Sequence, residues 1–389
     1  MKKTLLFLFA FLAIGEAAKA QTISVADVEA VPGKEAAFTV DLTGGKDTKY
    51  TAFQFDVQFP ATGFTTTGDY SVSPSWPGAS ATVGSVDGTG LATVPFASSN
   101  EIKGTDVEGL VTVFFEVDEN VDYGDYDVTL KNISLGYNFS DKDYPAEVNF
   151  KVKVVDRITL DENSKIAPLA LKGVNVKVNR TIKANEWSTI CLPFAIKSSP
   201  LKTIFGNDVQ VMSFTSYSAE MDTQNSKCKA ITMNFSPSTN IKAGTPYLIK
   251  TSKDINSFVL DAVNIVATTS DETVEEKDND ELEGTFKGTF AKTTVPDKGL
   301  FISGNKFYYS TGKTNIKAFR GWFELDAVLN ESVSADTRIG FNFDETTGIK
   351  EIHGSNKSVE GTYDLQGRKV EEPTNKGLYI VNGHKVVIK

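Results

Sequence analysis

Histidine is almost absent from this chain of 389 residues, which contains only His353 and His384, both near the C-terminus. No histidine-based catalytic triad or histidine-containing zinc site can therefore be built from the residues before His353. The motifs Gly-x-Ser-x-Gly and Gly-x-x-x-x-Gly-Lys-Ser/Thr are missing as well. The sequence thus predicts no enzyme, no catalytic residue, no cofactor and no metal site. A carboxylate pair for glycan hydrolysis stays open as an alternative, because the chain has 50 acidic residues.

Cysteine is equally scarce, with Cys191 and Cys228 as the only two residues of this type. In an oxidising compartment they can form a disulfide, which would stabilise the fold by roughly 3 kcal/mol. The alternative is two separate buried thiols that pack as small apolar residues. The second alternative is favoured, because Cys191 lies inside an apolar, strand-like run.

Long apolar runs are missing after the N-terminus, so no membrane insertion is predicted. Residues 1–20 have the features of a secretory signal peptide: Lys2 and Lys3, an apolar segment from Leu5 to Ile14, and a small-x-small cleavage site at Ala18-Lys19-Ala20. Gln21 would be the first mature residue, and the absence of a cysteine there argues against a lipid anchor. We expect an exported protein, either extracellular or on the outer cell surface.

An excess of positive charge is also missing: the formal net charge is -10. This argues against binding to nucleic acid or to anionic lipid, both of which favour basic surfaces. What the chain has instead is 26 phenylalanines, together with Gly, Thr, Asp and Asn between short apolar runs. That composition predicts an all-β fold.

The segment Ala52–Pro60 shows the strongest pattern. Four large apolar residues alternate with polar ones, as expected of a half-buried strand whose successive side chains point to opposite sides. Pro60 ends it. A polar outer face is the default for an antiparallel sheet, so a binding role for that face is a hypothesis. The apolar residues are Phe53, Phe55, Val57 and Phe59, and the polar residues between them are Gln54, Asp56 and Gln58.

The remaining chain divides into blocks. About seven to nine short alternating runs predict a β-sandwich over residues 21–156. Residues 157–170 lose the alternation and are predicted to be a linker, and 171–346 form a second β-rich domain. That domain is expected to hold one short helix over Ser199–Gly206, capped by Ser199, and a solvated acidic loop over 271–283.

The tail, residues 347–389, is predicted to form a small β unit of three short strands. Its turns are placed at Gln366-Gly367 and Asn382-Gly383, and the second of these is a strong hairpin signal. A unit of this size is too small to be very stable alone.

Trp76 lies in a rigid loop, Ser73-Pro74-Ser75-Trp76-Pro77-Gly78, and is a candidate for stacking on a sugar ring. The alternative, which is favoured, is a loop anchor packed on the sandwich. Trp187 and Trp322 lie inside apolar strands and are expected in the core.

Five segments follow one another in a recognisable order within residues 23–155: 31–34, 52–60, 94–100, 109–117 and 124–130. Through these segments, residues 23–155 resemble a cohesin module. This resemblance implies a nine-stranded jelly-roll sandwich, related in fold to some carbohydrate-binding modules, that binds a dockerin module and helps to assemble polysaccharide-degrading complexes. It also implies that the polar side of the matching strand contributes to partner recognition. The family's usual acidic residue after that strand is absent, since Phe59-Pro60-Ala61 stands there.

The tail resembles the C-terminal units of exported Bacteroidetes proteins through its segments 363–370 and 376–381. In many such proteins the unit is a sorting signal for transport across the outer membrane. The middle block is similar to domains of surface proteins from such bacteria, through segments 187–194, 244–249 and 319–323, and this similarity implies no activity.

Taken together, the sequence predicts a secreted or surface-located, non-catalytic binding protein in polysaccharide use. Its partner would be a dockerin-like protein module or a polysaccharide, recognised by Gln54, Asp56, Gln58 and Trp76. One alternative is a structural or adhesive surface protein whose sandwich has no specific ligand, and a glycan hydrolase is another.

Overall fold

A computed structural model of the chain describes residues 22–343, except 44–48, 74–75, 77, 104–106, 138–140, 223–226, 278 and 326–332, together with four strands of the tail. The predicted signal peptide and Gln21 lie outside the described residues, as do both turns predicted for the tail.

About two thirds of the residues are in strands and only 3% are in a helix, which confirms the all-β prediction. The described part contains helix α1 (Ser198–Phe205) and strands β1–β28, whose bounds follow in chain order. Strands β1–β14 are Thr22–Val25, Val28–Ala30, Glu35–Thr43, Lys49–Gln58, Phe64–Val72, Ser80–Ala81, Leu91–Lys103, Val107–Val117, Gly124–Tyr137, Asp141–Asp143, Val148–Val154, Arg157–Asp161, Leu171–Ile182 and Ser188–Cys191. Strands β15–β28 are Gln210–Met221, Cys228–Pro237, Pro246–Lys250, Ile255–Ile265, Glu272–Glu276, Asn279–Thr289, Thr293–Ser303, Lys306–Ile316, Arg320–Glu324, Val333–Phe343, Thr362–Tyr363, Lys369–Val370, Gly377–Val381 and His384–Ile388.

The chain divides into two compact units. Unit 1 contains the described residues of Met1–Asp161, with Pro168–Asn179 and Ser257–Ala267. Unit 2 contains Glu162–Ala167, Arg180–Asn256 and the described residues of Thr268–Lys389. The sequence analysis divided the chain into consecutive segments, each forming one domain or linker. That division stays a prediction.

Unit 1 contains a two-sheet sandwich. One sheet has the strand order β1-β3-β8-β5, and the other has the order β2-β11-β9-β4-β7-β6, with β10 added beside β9. Strand β3 alternates buried and partly exposed residues along its whole length, as the period of two requires. Side chains from both sheets form one continuous core.

Phe38 is central to that core. Its ring is fully buried and lies 6.4 Å from the rings of Phe55 and Phe59, 6.3 Å from Phe115 and 5.2 Å from Phe150. Phe55 and Phe59 belong to the segment with the strongest alternation, so the predicted inward face of that segment is where the two sheets meet.

Strand β12 falls inside the segment predicted to be a linker. It pairs in parallel with β13, from Arg157 opposite Asn175 to Asp161 opposite Asn179, and β13 in turn lies beside β18. Arg157 also forms an ion pair of 2.7 Å with Asp261. The first five residues of 157–170 are therefore part of a sheet, because their backbone groups find partners in a strand later in the chain.

Unit 2 is built on a ten-stranded sheet with the order β14-β17-β15-β19-β20-β23-β21-β22. Strand β16 also pairs with β15, and β24 pairs with β16. Helix α1 agrees with the predicted helix within one residue at each end. The capping residue differs, since Lys197 occupies the N-cap without a side-chain hydrogen bond, while Gly206 ends the helix as expected with a φ of 105°.

The acidic run 271–283, predicted to be a loop, contributes to strands β19 and β20 instead. These strands pair from Glu272 opposite Phe286 to Glu276 opposite Asn279. Val274 packs against the core of unit 2, so the run contains an apolar, inward-facing residue that its high charge concealed in the sequence.

The tail differs too, with four short strands in the order β26-β25-β27-β28 where three were predicted.

A buried ionic cluster lies in unit 2 around Glu162, which is 5% exposed. Its carboxylate accepts hydrogen bonds from Lys317 Nζ at 2.9 Å and Arg320 Nη2 at 2.8 Å, and Arg180 Nη1 lies 3.6 Å away. The fully buried Arg180 also donates to the carbonyl oxygen of Thr189 at 2.8 Å. Burial by itself raises the pKa of Glu162, but the bond from Lys317 and the charges of the two arginines outweigh it and lower the pKa.

Both cysteines are free and buried, so the possible disulfide between Cys191 and Cys228 is not formed. Cys191 Sγ lies 3.1 Å from the carbonyl oxygen of Gly244, whereas Cys228 Sγ lies 3.5 Å from that of Ala230. The two thiols thus lie at separate places and contact different carbonyl groups.

No helix among the described residues is both long and apolar enough to span a membrane.

Candidate binding face

Strand β4 occupies an interior position of the larger sheet of unit 1, between β9 and β7. Phe53, Phe55 and Val57 are buried in the core, so the intervening polar residues lie on the outer side of the sheet. This side, called here the recognition face, is defined by Gln54, Asp56 and Gln58 of β4, Thr93 of β7, and Lys131 and Asn132 of β9.

Asp56 is the most enclosed residue of this face, with only 9% of its surface exposed. Its Oδ1 accepts a hydrogen bond of 2.7 Å from Thr93 Oγ1, and its Oδ2 accepts one of 2.7 Å from Asn132 Nδ2. Both carboxylate oxygens are therefore used inside the protein. Asp56 acts as a positioning residue that ties β4 to both neighbouring strands, and not as the exposed contact that the sequence analysis expected.

A β-bulge brings Asn132 to this position. The pairing of β4 with β9 shifts between Gln54, which faces Ser134, and Asp56, which faces Lys131. Asn132 lies within the shift and has a φ of 52°, a left-handed conformation that asparagine tolerates better than most residues. The sequence analysis missed Asn132, because an asparagine in a strand-like run gives no local signal of a bulge.

Gln58 anchors the loop that precedes β7. Its Nε2 donates to the carbonyl oxygens of Thr89 at 2.7 Å and Phe59 at 2.9 Å, while its Oε1 accepts a bond of 2.9 Å from Lys131 Nζ. Gly90 allows this close approach, since a Cβ there would lie 2.3 Å from the carbonyl oxygen of Phe59. Gln58 is therefore also held in place before any partner arrives.

The same loop is fixed internally by Asp87. Its Oδ1 accepts hydrogen bonds from Thr89 Oγ1 at 2.6 Å, from Thr89 N at 2.8 Å and from Leu91 N at 3.0 Å. The bond from the Thr89 side chain, followed by the backbone bonds, lowers the pKa of Asp87. The rim of the recognition face beside Gln58 is thus rigid and carries a carboxylate that stays ionised.

Gln54 is the member of β4 that remains exposed. It lies opposite Pro95 of β7 and Ser134 of β9, and Pro95 is exposed as well. Among the described residues, Gln54 makes no side-chain hydrogen bond. Of the three residues predicted on this strand, Gln54 is therefore the one whose amide is available to a partner.

Charges of both signs continue the face onto β11. Lys151 Nζ lies 2.9 Å from Asp127, and Lys153 Nζ lies 2.9 Å from Asp27. The hydrogen bond with Lys153 lowers the pKa of Asp27, and the corresponding bonds raise the pKa of each lysine. These exposed pairs add little stability, but they alternate the charge along one edge of the face.

Trp76 does not belong to the face. It is 1% exposed and packs within the core of the sandwich. Its backbone nitrogen donates to the carbonyl oxygen of Ser73 at 2.8 Å, and its own carbonyl accepts from Ala79 N at 3.3 Å, so a tight turn directs the indole inward. A ring this deeply covered offers no surface to a sugar, and its position is that of the loop anchor that the sequence analysis favoured.

No family model matches the chain, and no curated protein matches it. Solved structures that are similar to it include a type I cohesin–dockerin complex from Clostridium thermocellum, with 18% identity, 35% of this chain and 99% of that chain covered, and a TM-score of 0.30. A cohesin module from a family 33 glycoside hydrolase of Clostridium perfringens has 19% identity, with 35% and 95% covered and a TM-score of 0.30. A non-cellulosomal cohesin from Archaeoglobus fulgidus has 20% identity, with 35% and 91% covered and a TM-score of 0.29.

Proposed function

We propose that unit 1 is a non-catalytic recognition module of the cohesin type, which binds a dockerin-like protein module through the recognition face. One observation carries the proposal: hydrogen bonds to the neighbouring strands and to the loop before β7 hold Asp56 and Gln58 in place beside the exposed Gln54. Side chains that are fixed before binding lose less conformational entropy when a partner docks. The motif resemblance of residues 23–155 supports the same function.

A protein partner is favoured over a glycan on this face. Its groups are amide, carboxylate, hydroxyl and ammonium, and Trp76, the aromatic residue that was considered for it, lies in the core. Extended polar surfaces of this kind suit the rim and hydrogen bonds of a protein interface. A glycan site usually offers a ring on which the sugar can stack.

We further propose that the protein is exported to the cell surface and takes part in polysaccharide use. The features of residues 1–20 support export, and the resemblance of residues 347–389 to Bacteroidetes sorting units supports transport across the outer membrane. In this arrangement the recognition module would be displayed outside the cell, where partner enzymes and polysaccharide meet.

A substitution at Gln54 tests the recognition face directly. The full chain, immobilised, would be incubated with a panel of purified dockerin modules and with a surface extract, and binding would be measured by biolayer interferometry. Gln54→Arg places a long charged side chain on the face without disturbing a buried group. We expect binding to weaken about tenfold or more, as for the loss of a central interface contact.

The matched control is Thr65→Arg, which changes an equally exposed strand position on the other sheet of the sandwich. This variant should bind like the wild type. Equal weakening by both variants, or no binding of any dockerin, would contradict a cohesin-type interaction through this face. Capture that soluble polysaccharide abolishes would favour a glycan ligand instead.

A further inference from the structure

An aromatic pair lies on the outer face of the ten-stranded sheet of unit 2. Leu300 of β21 is paired with Phe323 of β23, and both are fully buried in the core. Because side chains alternate along a strand, the next residue, Phe301, points to the opposite, outer side. Tyr308 of β22 is in register with Phe301, and the two rings stack with centroids 5.7 Å apart and an interplanar angle of 23°. Phe301 and Tyr308 are called here the aromatic platform.

The platform is accessible. Tyr308 is 46% exposed, and Phe301 is only partly buried. Strand β22 ends the order of hydrogen-bonded strands in the ten-stranded sheet, and β24 lies near it without pairing, with the rings of Phe307 and Phe341 stacked 4.5 Å apart. A stacked pair of large rings at such a position is uncommon on a surface that serves only to face water.

Polar groups continue from the aromatic pair across the same face. Trp322 of β23 lies on this side of the sheet but is itself buried, as the sequence analysis expected, and its Nε1 donates to Glu324 Oε1 at 2.7 Å. Lys287 of β20 is in register with Trp322, and its Nζ lies 3.6 Å from Glu324 and 3.3 Å from Asp271. One lysine is thus matched by two carboxylates, so this row has no excess positive charge.

The backbone beside the platform is irregular and tightly packed. The pairing of β21 with β22 shifts on both sides of Asp297, and Lys298 has a φ of 64°. Next to it, Gly299 fits only without a side chain, since a Cβ would lie 2.7 Å from Val295 Cγ1 and 3.2 Å from Trp322 Cδ1. Bulges of this kind redirect side chains and are frequent beside functional sites. Here the irregular backbone packs closely against Trp322.

We propose that Phe301 and Tyr308 form a stacking platform for a pyranose ring of a neutral polysaccharide. A pyranose has an apolar C–H face that suits the exposed ring of Tyr308, against which Phe301 stacks, and hydroxyl groups at its edge that suit carboxylates and an ammonium group on the same side of the sheet. With the exposed Lys306, two residues before Tyr308 on the same side of β22, the face carries two lysines and two carboxylates, and this balance disfavours an acidic glycan, which needs a cationic site.

The size of the platform also favours a sugar over a protein. Complete coverage of two aromatic rings buries at most about 500 Å². A stable protein interface requires about 800 Å² from each partner. The aromatic platform therefore matches one or two sugar units, and this ligand is separate from the partner proposed for unit 1.

Native gel electrophoresis of the full chain, in gels that contain xyloglucan, glucomannan or hydroxyethylcellulose, tests the proposal. We expect at least one polysaccharide to retard the wild type. Tyr308→Ala should weaken the interaction about tenfold, because the exposed half of the platform is lost. Tyr308→Phe keeps the ring and should be retarded like the wild type.

Tyr309→Ala is the matched control, because Tyr309 is adjacent, 37% exposed, and directed to the other side of the strand. It should leave retardation unchanged. The proposal is overturned if none of the polysaccharides retards the wild type, or if Tyr308→Ala is retarded as strongly. It is also overturned if Tyr308→Ala abolishes a concentration-dependent self-association in analytical ultracentrifugation, which would assign the platform to a second copy of the chain.

Discussion

Asp56 and Asn132 are joined by a hydrogen bond of 2.7 Å between residues that are 76 positions apart in the chain. The bond connects β4 to the bulge of β9, and the other carboxylate oxygen of Asp56 is bound to Thr93 of β7. One carboxylate thus links three adjacent strands at the centre of the recognition face.

Asn132 should tolerate glycine better than alanine. Asn132→Gly removes the hydrogen bond to Asp56 and is expected to lower the free energy of unfolding by about 1 kcal/mol. Asn132→Ala removes the same bond and must also hold a φ of 52° with a Cβ, which adds about 1 kcal/mol to the loss. Urea denaturation of both variants measures the difference. Equal stability of the two would show that the left-handed conformation is not retained.

Phe38→Ala should be strongly destabilising, because the ring contacts four other phenylalanines and is fully buried. The removal of such a ring leaves a cavity and costs about 3–5 kcal/mol. Thermal unfolding followed by circular dichroism measures the effect. Phe301→Ala, at a partly buried position of unit 2, provides the comparison and should cost less.

Glu162 should make the stability of the protein depend on acidic pH. Its pKa is lowered in the folded state, so its contribution is fully present above the pKa of the unfolded chain and is lost as pH falls through the folded value. Glu162→Gln leaves Arg180 and Arg320 without their carboxylate and should cost about 3–5 kcal/mol at neutral pH. In a series of denaturation curves from neutral to acidic pH, the variant should lose less stability than the wild type. Parallel curves would assign the acid sensitivity to other groups.

Deletion of residues 347–389 should change the location of the protein and leave unit 1 folded. If this tail is a sorting signal, the truncated protein accumulates in the periplasm and is missing from the cell surface. Fractionation with immunodetection, compared with the full chain, gives the result. Surface display of the truncated protein would exclude a sorting role for the tail.

Local patterns predicted the elements well wherever one face of a strand is buried. The alternation in Ala52–Pro60 placed Phe53, Phe55, Val57 and Phe59 in the core, where all four lie. The same logic failed for the acidic run 271–283, because its many charges obscured the inward position of Val274. The alternation rule also failed to predict the strand Arg157–Asp161. Its partner strand begins at Leu171, 14 residues after Arg157.

The candidate site was only partly predictable, for the same reason. Gln54, Asp56 and Gln58 follow from the period of two, which depends on neighbouring residues alone. The participation of Thr93, Lys131 and Asn132 depends on which strands pair and in what register, and a bulge changes that register by one residue. The burial of Trp76 likewise depends on a turn that directs its ring into the core.

The sequence by itself determined that this chain forms strands, and which side of each strand is apolar, because these properties follow from the alternation of side chains along an extended backbone. Only the tertiary structure decided that Asp56 is enclosed, that Gln54 remains available, and that Phe301 and Tyr308 stack on an outer face. Each of these depends on contacts between strands that are separated along the chain, and strand pairing, bulges and burial exist only once the sheets have assembled.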